Sequence, residues 1–540
     1  MEHRMLYIPA LYATQGCVLA SYFKMYFVLA VCALSILLLR WLFGSTRKSL
    51  PLPPGPKGYP LIGNLLNMPK VTPWKTFQEW SKIYGDVIFL DLPQQPTVVL
   101  GSVQAALDLM EKRSHIYSDK PVFVMDELMT WDFNLGFMPY TQKWRDHRRA
   151  FHQYFNQREV AKYEPIQVQE CRAFLRRMLD APDDLAQHVR QIFTAIILKA
   201  VYDMDIKGLD DEYLLLAQEA VLGTIQSRLP GTYWIEFFPF FKHIPSWVPG
   251  AKFKQAAEHY RPYVEAMRNK PFDVVKQAVA NGSASPSIAA SLIKKIEERY
   301  KGTNLESQQE EIARNVTGIA FAAGADTTTA AAQTFLIAMS LFPDVQRNAQ
   351  AELDRVVSDN RLPDFGDHDK LIYVQAVTLE SMRWLTTFPL GLPHRVSCDD
   401  VYKGFLIPKG TIVTANAWAM LHNPEDYPDP DQFKPERFIK NGQLDPNVRN
   451  PLTIAFGFGR RICAGRHLSN GSLFLAIASI LHTFNISPIL DDNGEPFDPL
   501  VSMSTSVISV PDSVPCTLTP RSSKAERLIR EWCMTNEREC

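Results

Sequence analysis

Long stretches of the chain repeat their apolar residues with the 3.6-residue period of an amphipathic α-helix. These stretches cover residues 141–155, 158–180, 183–203, 210–227, 251–279 and 308–341. Alternating patterns typical of short strands appear near residues 87–101, 405–418 and 501–520. We therefore predict a mainly α protein in which small β-sheets are peripheral.

The N-terminal region contains an uncharged apolar run at residues 25–39, flanked by Lys24 and Arg40. A membrane span needs about 20 residues, and the long flanking cations can reach the two interfaces. A cleaved signal peptide is the alternative, but basic residues rather than a small-residue cleavage site follow the run. We predict a membrane anchor region over residues 1–48, with a transmembrane helix at about 25–43. Residues 5–23 are also uncharged, so a second membrane-associated segment stays open.

Five prolines between residues 51 and 60 favour a stiff, extended backbone. We interpret residues 49–64 as a proline-rich hinge, with a plain linker as the alternative. One large domain is predicted over residues 65–520, followed by a C-terminal tail at 521–540. The formal net charge of −1 provides no general attraction to nucleic acid, so we expect no nucleic-acid partner.

The sequence FGFGRRICAG at residues 456–465 places Cys463 among three glycines and two arginines. Nearby cations and backbone N–H groups make a thiol more acidic, and glycines let a flat molecule approach the backbone. A buried packing cysteine, the alternative, requires neither feature. The eight cysteines of the chain include no C-x-x-C pair, which argues against a zinc ribbon. The loop therefore predicts a thiolate ligand for a soft metal.

The spacing F-x-x-G-x-R-x-C-x-G resembles the signature of the cytochrome P450 family of haem-thiolate monooxygenases. Three further motifs match the family in order: AGADTT at 323–328, ESMR at 380–383 and PERF at 435–438. The resemblance implies the cytochrome P450 fold for residues 65–520 and haem b with Cys463 as axial ligand to the iron. It also implies insertion of one oxygen atom from dioxygen into a hydrophobic small molecule.

The same resemblance assigns roles to individual residues. The expected cofactor-binding residues are Trp144, Arg148, Arg395, Phe456, Arg461 and Cys463. Trp144 and Arg148 are four residues apart and so share one face of a helix. Asp326 and Thr327 are expected to relay protons, and the Thr327 hydroxyl can bond to the carbonyl four residues earlier. Glu380, Arg383 and Arg437 are expected to form a buried ionic network.

No flavin-binding sequence is apparent, so the electrons of NADPH are expected to arrive through a separate flavoprotein, an NADPH-cytochrome reductase. The motifs are similar to those of membrane-anchored eukaryotic members, especially fungal enzymes of secondary metabolism. This similarity implies the endoplasmic reticulum membrane, a single-pass anchor, a cytosolic catalytic domain and a substrate such as a terpenoid. A haem-thiolate isomerase or dehydratase and a non-catalytic haem-binding protein are the alternatives.

Overall fold

The computed structural model describes residues 31–32, 34–36, 50–228, 232–248, 250–490, 503–504, 506–511 and 513–535. The predicted transmembrane helix at about 25–43 lies outside the described residues except for five positions, and the run at 5–23 lies wholly outside them. Within the described part of the chain, no helix is both long and apolar enough to cross a membrane.

Helices dominate the described chain, as the hydrophobic periodicity predicts. The long helices are α1 Pro73–Tyr84, α2 Gln142–Phe155, α3 Glu164–Asp180, α4 Leu185–Tyr202, α5 Glu212–Ser227, α6 Lys252–Ala280, α7 Ile288–Tyr300, α8 Glu306–Leu341, α9 Pro343–Val356, α10 Ile372–Trp384, α11 Arg466–Thr483 and α12 Ser523–Thr535. Shorter α-helices are Val103–Ala106, Ser114–Tyr117, Val124–Leu128, Ala417–Leu421 and Leu452–Ala455. A π-helical segment, Leu107–Lys112, follows the first of these.

The helix starts follow local sequence signals. Thr141 precedes α2, and its hydroxyl accepts a hydrogen bond from the Trp144 N–H. Ser287 and Asp211 cap α7 and α5 in the same way. The part of the predicted helix at 158–180 that lies before Glu164 is instead a separate 3₁₀ turn, Val160–Tyr163.

The sheets are small and separate, as the prediction of peripheral β-structure requires. The strands are β1 Val87–Leu90, β2 Thr97–Leu100, β3 His394–Arg395, β4 Asp400–Tyr402, β5 Phe405–Ile407, β6 Ile412–Ala415, β7 Ile439–Lys440, β8 Gln443–Leu444, β9 Phe484–Pro488 and β10 Cys516–Pro520. The largest sheet has the order β1-β2-β6-β3, in which β2 and β6 are parallel and the other pairs antiparallel. The remaining sheets are two-stranded.

Helix α8 forms the centre of the core. Most of its residues beyond Ile312 are buried, on every face of the helix. It contributes to both large apolar clusters, one shared with α3, α4 and α11 and the other with α5, α6 and α7. A helix that is apolar all round is stable only when neighbours cover it. The polar residues that α8 carries in this interior therefore need partners or a cavity.

The chain divides into two compact units. The smaller comprises the described residues up to Leu52 together with Val401–Leu406, and in it the Leu406 N–H donates to Pro51 O at 2.8 Å. The larger comprises Pro53–Asp400 and the chain from Ile407 onward. Within the larger unit the proline-rich segment is fixed to β1, because Pro54 O accepts the Phe89 N–H at 2.9 Å.

The segment expected as a C-terminal tail contains helix α12. Ile529 of this helix is 1% exposed and belongs to the same apolar cluster as Phe174 of α3. Arg530 also forms an ion pair with Asp180 at the end of α3. The amphipathic pattern of α12 is thus satisfied by packing on the body of the protein.

Candidate functional site: a cavity lined by the cysteine loop and the central helix

The cysteine loop is a tight turn that leads directly into α11. The Cys463 N–H donates to Phe456 O at 2.9 Å, which closes the turn. Gly459 has a φ of +58°, and a Cβ there would lie 2.1 Å from Met110 O. No other residue type fits that position without moving the backbone. The sequence analysis expected the glycines of this loop to let a flat molecule approach the backbone. At Gly459 the group that approaches closely is the backbone carbonyl of Met110.

The Cys463 side chain is exposed, yet it does not face the outside of the protein. It lines a largely apolar cavity bounded by the cysteine loop, α8 and α2. Burial among these elements raises the pKa of the Cys463 thiol, while the Gly465 N–H, the charges of Arg148 and Arg466, and the Arg466 N–H act in the opposite direction. These donors stabilise a thiolate, and a bound metal cation deprotonates a thiol ligand outright.

Two arginines, Arg148 of α2 and Arg461 of the cysteine loop, lie at the cavity wall, and neither has a carboxylate partner among the described residues. Arg148 Nη2 donates to Ile462 O at 2.7 Å. Arg461 donates to three backbone carbonyls, those of Ser118, Leu135 and Met138. Burial lowers the pKa of both groups, that of Arg461 to about 9. Because their partners are neutral, both guanidinium groups can still compensate acidic groups placed in the cavity.

Trp144 and Phe456 also line the cavity. The Trp144 indole N–H is already used, since it donates to Leu135 O at 3.2 Å. The Trp144 ring lies 4.2 Å from the Arg461 guanidinium carbon, a cation–π contact that holds the arginine in place.

Arg395 is the one expected cofactor-binding residue that the structure does not bring to this cavity. It lies exposed at the sheet edge in β3, while the preceding His394 is 5% exposed and lines the cavity. Neighbouring residues of a strand point to opposite faces, so only one of the pair can face inward. His394 Nδ1–H donates to Tyr117 O at 2.6 Å, and burial holds its pKa well below the ordinary value. His394 is therefore a neutral imidazole, and its Nε2 has no hydrogen-bond partner among the described residues.

Asp326 and Thr327 lie at the cavity wall on α8. The Thr327 hydroxyl donates to Ala323 O at 2.9 Å, four residues earlier, as expected from the sequence. Asp326 accepts from Arg190 Nε of α4 at 2.9 Å. Burial raises the pKa of Asp326, and the Arg190 charge opposes that shift. The two polar side chains that were unexplained in an apolar helix therefore have one partner each within the protein.

Gly324, which precedes this pair, is explained by helix packing. A Cβ at Gly324 would lie 2.8 Å from Ile197 Cγ1 of α4. Gly324 does line the cavity, but contact with α4 already excludes a side chain there.

The expected ionic network lies behind the cysteine loop and is complete. Arg383 donates to both Glu380 oxygens, at 2.7 and 2.8 Å, and Arg437 Nε donates to Glu380 Oε1 at 3.2 Å. Glu380 and Arg383 have no exposed surface. The Lys434 N–H also donates to Glu380, so the network ties α10 to the turn Pro435–Phe438.

Two cations that the sequence interpretation did not single out also line the cavity. Lys120 donates to the carbonyls of Leu392 and Pro393, and Arg228 lies at the end of α5. A single cation before a loop gives no periodic or spacing signal, so only the tertiary structure identifies these positions.

A family model described as Cytochrome P450 matches residues 53–511 of the chain. The chain is 42% identical over 480 residues to cytochrome P450 monooxygenase COX2 of Coprinopsis cinerea, covering 89% of this chain and 91% of that protein. It is 40% identical to a cytochrome P450 monooxygenase of Armillaria gallica, covering 93% of this chain and 99% of that protein. It is 37% identical to tryptamine 4-monooxygenase of Psilocybe cyanescens, covering 88% and 94% respectively.

Proposed function

Because the chain belongs to the cytochrome P450 family of haem-thiolate monooxygenases, we propose that it inserts one atom of dioxygen into a hydrophobic secondary metabolite such as a terpenoid. The observation that carries the proposal is the position of Cys463. Its side chain lines a largely apolar cavity that Asp326 and Thr327 of α8 also line. The fungal relatives, all named monooxygenases, support the reaction class.

The residues of the cavity fit haem b. Cys463 would hold the iron through its sulfur, and Gly457 and Gly465 line the cavity at positions where a Cβ would enter open space. Arg148 and Arg461 line the same cavity, and no carboxylate in the described part of the chain pairs with either, which suits the two propionates of this cofactor. When bound, thiolate-ligated haem supplies activation of dioxygen toward O–O cleavage.

We assign the propionate-binding residues as Arg148, Arg461 and His394, with Trp144 holding Arg461 by its ring. His394 replaces the sequence-based assignment of Arg395, because it lines the cavity and Arg395 is exposed at the sheet edge. Burial keeps this imidazole neutral in the protein alone, but a propionate carboxylate beside Nε2 would favour the protonated form, which donates from Nε2 while Nδ1–H remains bonded to Tyr117 O.

Asp326 and Thr327 are assigned to proton delivery. The Thr327 proton is directed to Ala323 O, which leaves the Oγ1 lone pairs free to accept a hydrogen bond from water. The Asp326 carboxylate can take up a proton and release it again, and Arg190 orients it. The side chain of Arg190 is 24% exposed, so this ion pair connects the cavity wall with solvent.

Electrons are assigned to a separate NADPH-dependent flavoprotein reductase. The test is incubation of the purified chain with such a reductase, NADPH, ¹⁸O₂ and a panel of terpenes. Products that carry one labelled oxygen, formed only when all components are present, are the expected result. A haem-binding chain that rearranges substrates without dioxygen, or that turns nothing over, would refute the proposal.

Replacing Thr327 with alanine should uncouple NADPH consumption from product formation. The variant loses the hydroxyl that positions water, while alanine has the highest helix propensity, so folding and haem content should be preserved. General acid–base groups contribute about 10²–10⁴-fold, so product per NADPH should fall at least about tenfold, with peroxide formed instead. The measurement is product, peroxide and NADPH in the same reaction. Thr327→Ser is the matched control and should recover most of the coupling; equal coupling in the alanine variant would place the proton relay elsewhere.

We further propose that residues 1–48 anchor the protein in the endoplasmic reticulum membrane by a single span at about 25–43, with the catalytic domain cytosolic. The uncharged run and its basic flank support this assignment. A second contact is proposed at residues 233–250, where Phe240 and Trp247 are 67% and 80% exposed. Large exposed aromatic rings suit the membrane interface.

Removal of residues 1–48 should release most of the protein from membranes, because the main source of buried apolar surface is lost. Weak residual binding should remain and should fall further when Phe240 and Trp247 are changed to serine. The measurement is sedimentation with microsomes. Phe237→Ser is unsuitable as a variant, since Phe237 is buried. A truncated chain that sediments as completely as the full chain would contradict the anchor.

A further inference from the structure

Arg228, at the end of α5, is a cation buried in the wall of the cavity. Its side chain is 6% exposed, and it lines the same cavity as Cys463 and Thr327. The guanidinium carbon lies over the Phe137 ring, 3.4 Å from its centre, a cation–π contact that holds the group at the wall.

The protein satisfies only part of the hydrogen-bonding capacity of this guanidinium. Arg228 donates from Nη2 to Asp126 Oδ2 on the helix Val124–Leu128. Nε has no hydrogen-bond partner in the described part of the chain. A guanidinium has five N–H donors, and a buried donor without an acceptor costs about 1–3 kcal/mol. Arg228 lies at a cavity wall, and part of its N–H donors have no acceptor within the described protein. This indicates a ligand that supplies the missing acceptor.

Two further buried polar atoms at the cavity wall also have no hydrogen-bond partner among the described residues. Thr224, one turn before Arg228 on α5, and Trp131 both line the cavity. The Thr224 hydroxyl and the Trp131 indole nitrogen are buried, and each lacks a partner among the described residues. Three side chains from two segments of the wall, the C-terminal turn of α5 and the turn Trp131–Phe133, thus leave hydrogen-bonding groups without partners at this cavity.

The charges around Arg228 indicate that its ligand is uncharged. Asp126 already compensates the guanidinium by a direct ion pair. Glu236 lies nearby, accepts the N–H groups of Val124 and Met125, and its burial raises its pKa to about 7. Lys120, the other cation near Arg228, donates to two backbone carbonyls, and burial together with the charges of Arg461 and Arg228 holds its pKa well below the ordinary value. Arg228 and Lys120 therefore offer no surplus positive charge to a carboxylate.

We propose that Arg228 is a specificity-determining residue, which donates a hydrogen bond to an uncharged carbonyl or hydroxyl oxygen of an otherwise apolar substrate. This inference rests on the proposed function and narrows its substrate class to molecules that are already oxygenated. The reaction that supplies the substrate must then be one that leaves a hydroxyl or carbonyl group on the hydrocarbon skeleton.

The test compares the binding of three probes of one skeleton: decalin, 2-decalone and decahydronaphthalene-2-carboxylate. Dissociation constants are measured by spectral titration of the haem-loaded protein, which requires no turnover. A hydrogen bond from a charged donor corresponds to about tenfold or more in affinity. We expect the parent to bind the ketone at least about tenfold more tightly than the hydrocarbon and also more tightly than the carboxylate.

Loss of Arg228 alone would leave Asp126 buried and unpaired, so the test variant is Arg228→Met combined with Asp126→Leu. We expect this variant to bind ketone and hydrocarbon about equally. Arg172→Met is the matched control, because Arg172 is equally buried but donates to Pro363 O and Ser479, away from the cavity. It should keep the parent's ketone preference.

Asp126→Asn provides a second variant that retains an acceptor for Arg228 but removes the negative charge. It should keep the ketone preference and bind the carboxylate about tenfold more tightly than the parent does. A parent that shows no ketone preference, including no detectable binding of the ketone, would overturn the proposal, as would an unchanged preference in the double variant. Labelled-oxygen incorporation by the parent is measured separately, so failure of the proposed reaction is distinguishable from failure of this inference.

Discussion

Replacing Cys463 with serine should abolish the thiolate-type spectrum of the haem-loaded protein and all monooxygenase activity. A neutral hydroxyl is a much poorer donor to iron than a thiolate, and the Gly465 and Arg466 N–H groups that stabilise the sulfur anion would have no anion to stabilise. The measurement is the absorption spectrum of the reduced carbon monoxide complex, which should lose its red shift.

Cys398→Ser is the matched control, because Cys398 is also an exposed free cysteine but does not line the cavity. Its spectrum and activity should equal those of the parent. A red-shifted carbon monoxide complex in the Cys463 variant would show that another residue ligates the iron.

Glu380→Gln should destabilise the protein by about 3–5 kcal/mol, the typical cost of breaking a buried ionic group. The Glu380 carboxylate accepts from Arg383, Arg437 and the Lys434 N–H. A glutamine amide would turn an NH₂ group toward one of these donors and leave two buried guanidinium groups without a counter-charge. We expect low haem content after expression and a strongly lowered thermal unfolding temperature.

Asp354→Asn removes one partner of the Arg521 ion pair, whose aspartate side chain is 53% exposed. Exposed pairs contribute roughly 0–1 kcal/mol, so this control should unfold close to the parent temperature. Equal unfolding temperatures for the Glu380 variant and the parent would show that the network does not stabilise the fold.

The helices could be predicted from the sequence because each of the long ones carries its own periodic signal. Helix α8 was expected at 308–341 and spans Glu306–Leu341, and α5 was expected at 210–227 and spans Glu212–Ser227. The hydrogen bond from Thr327 to Ala323 and the pairing of Glu380 with Arg383 were also predictable, since both link residues three or four apart on one helix. Local geometry alone determines these contacts.

Contacts between distant segments could not be predicted in the same way. The sequence HR in β3 contains two candidate partners for an acidic group, and only the pairing of β3 with β6 decides which of them faces the cavity. The role of Gly324 depends on the side chain of Ile197, which is more than 120 residues away. The pairing of Arg228 with Asp126 likewise joins two segments that have no local relation.

The sequence by itself determined the mainly helical class, the cysteine proposed to ligate the metal and the order of the motifs around it, because periodicity, residue chemistry and spacing are properties of the chain. Only the tertiary structure decided that His394 rather than Arg395 faces the cavity, that Asp326 pairs with Arg190, and that Arg228 Nε lies at the cavity wall without a hydrogen-bond partner among the described residues. The physical reason is that burial and hydrogen-bond partners of these side chains are set by packing between elements far apart in the chain, which no local pattern encodes.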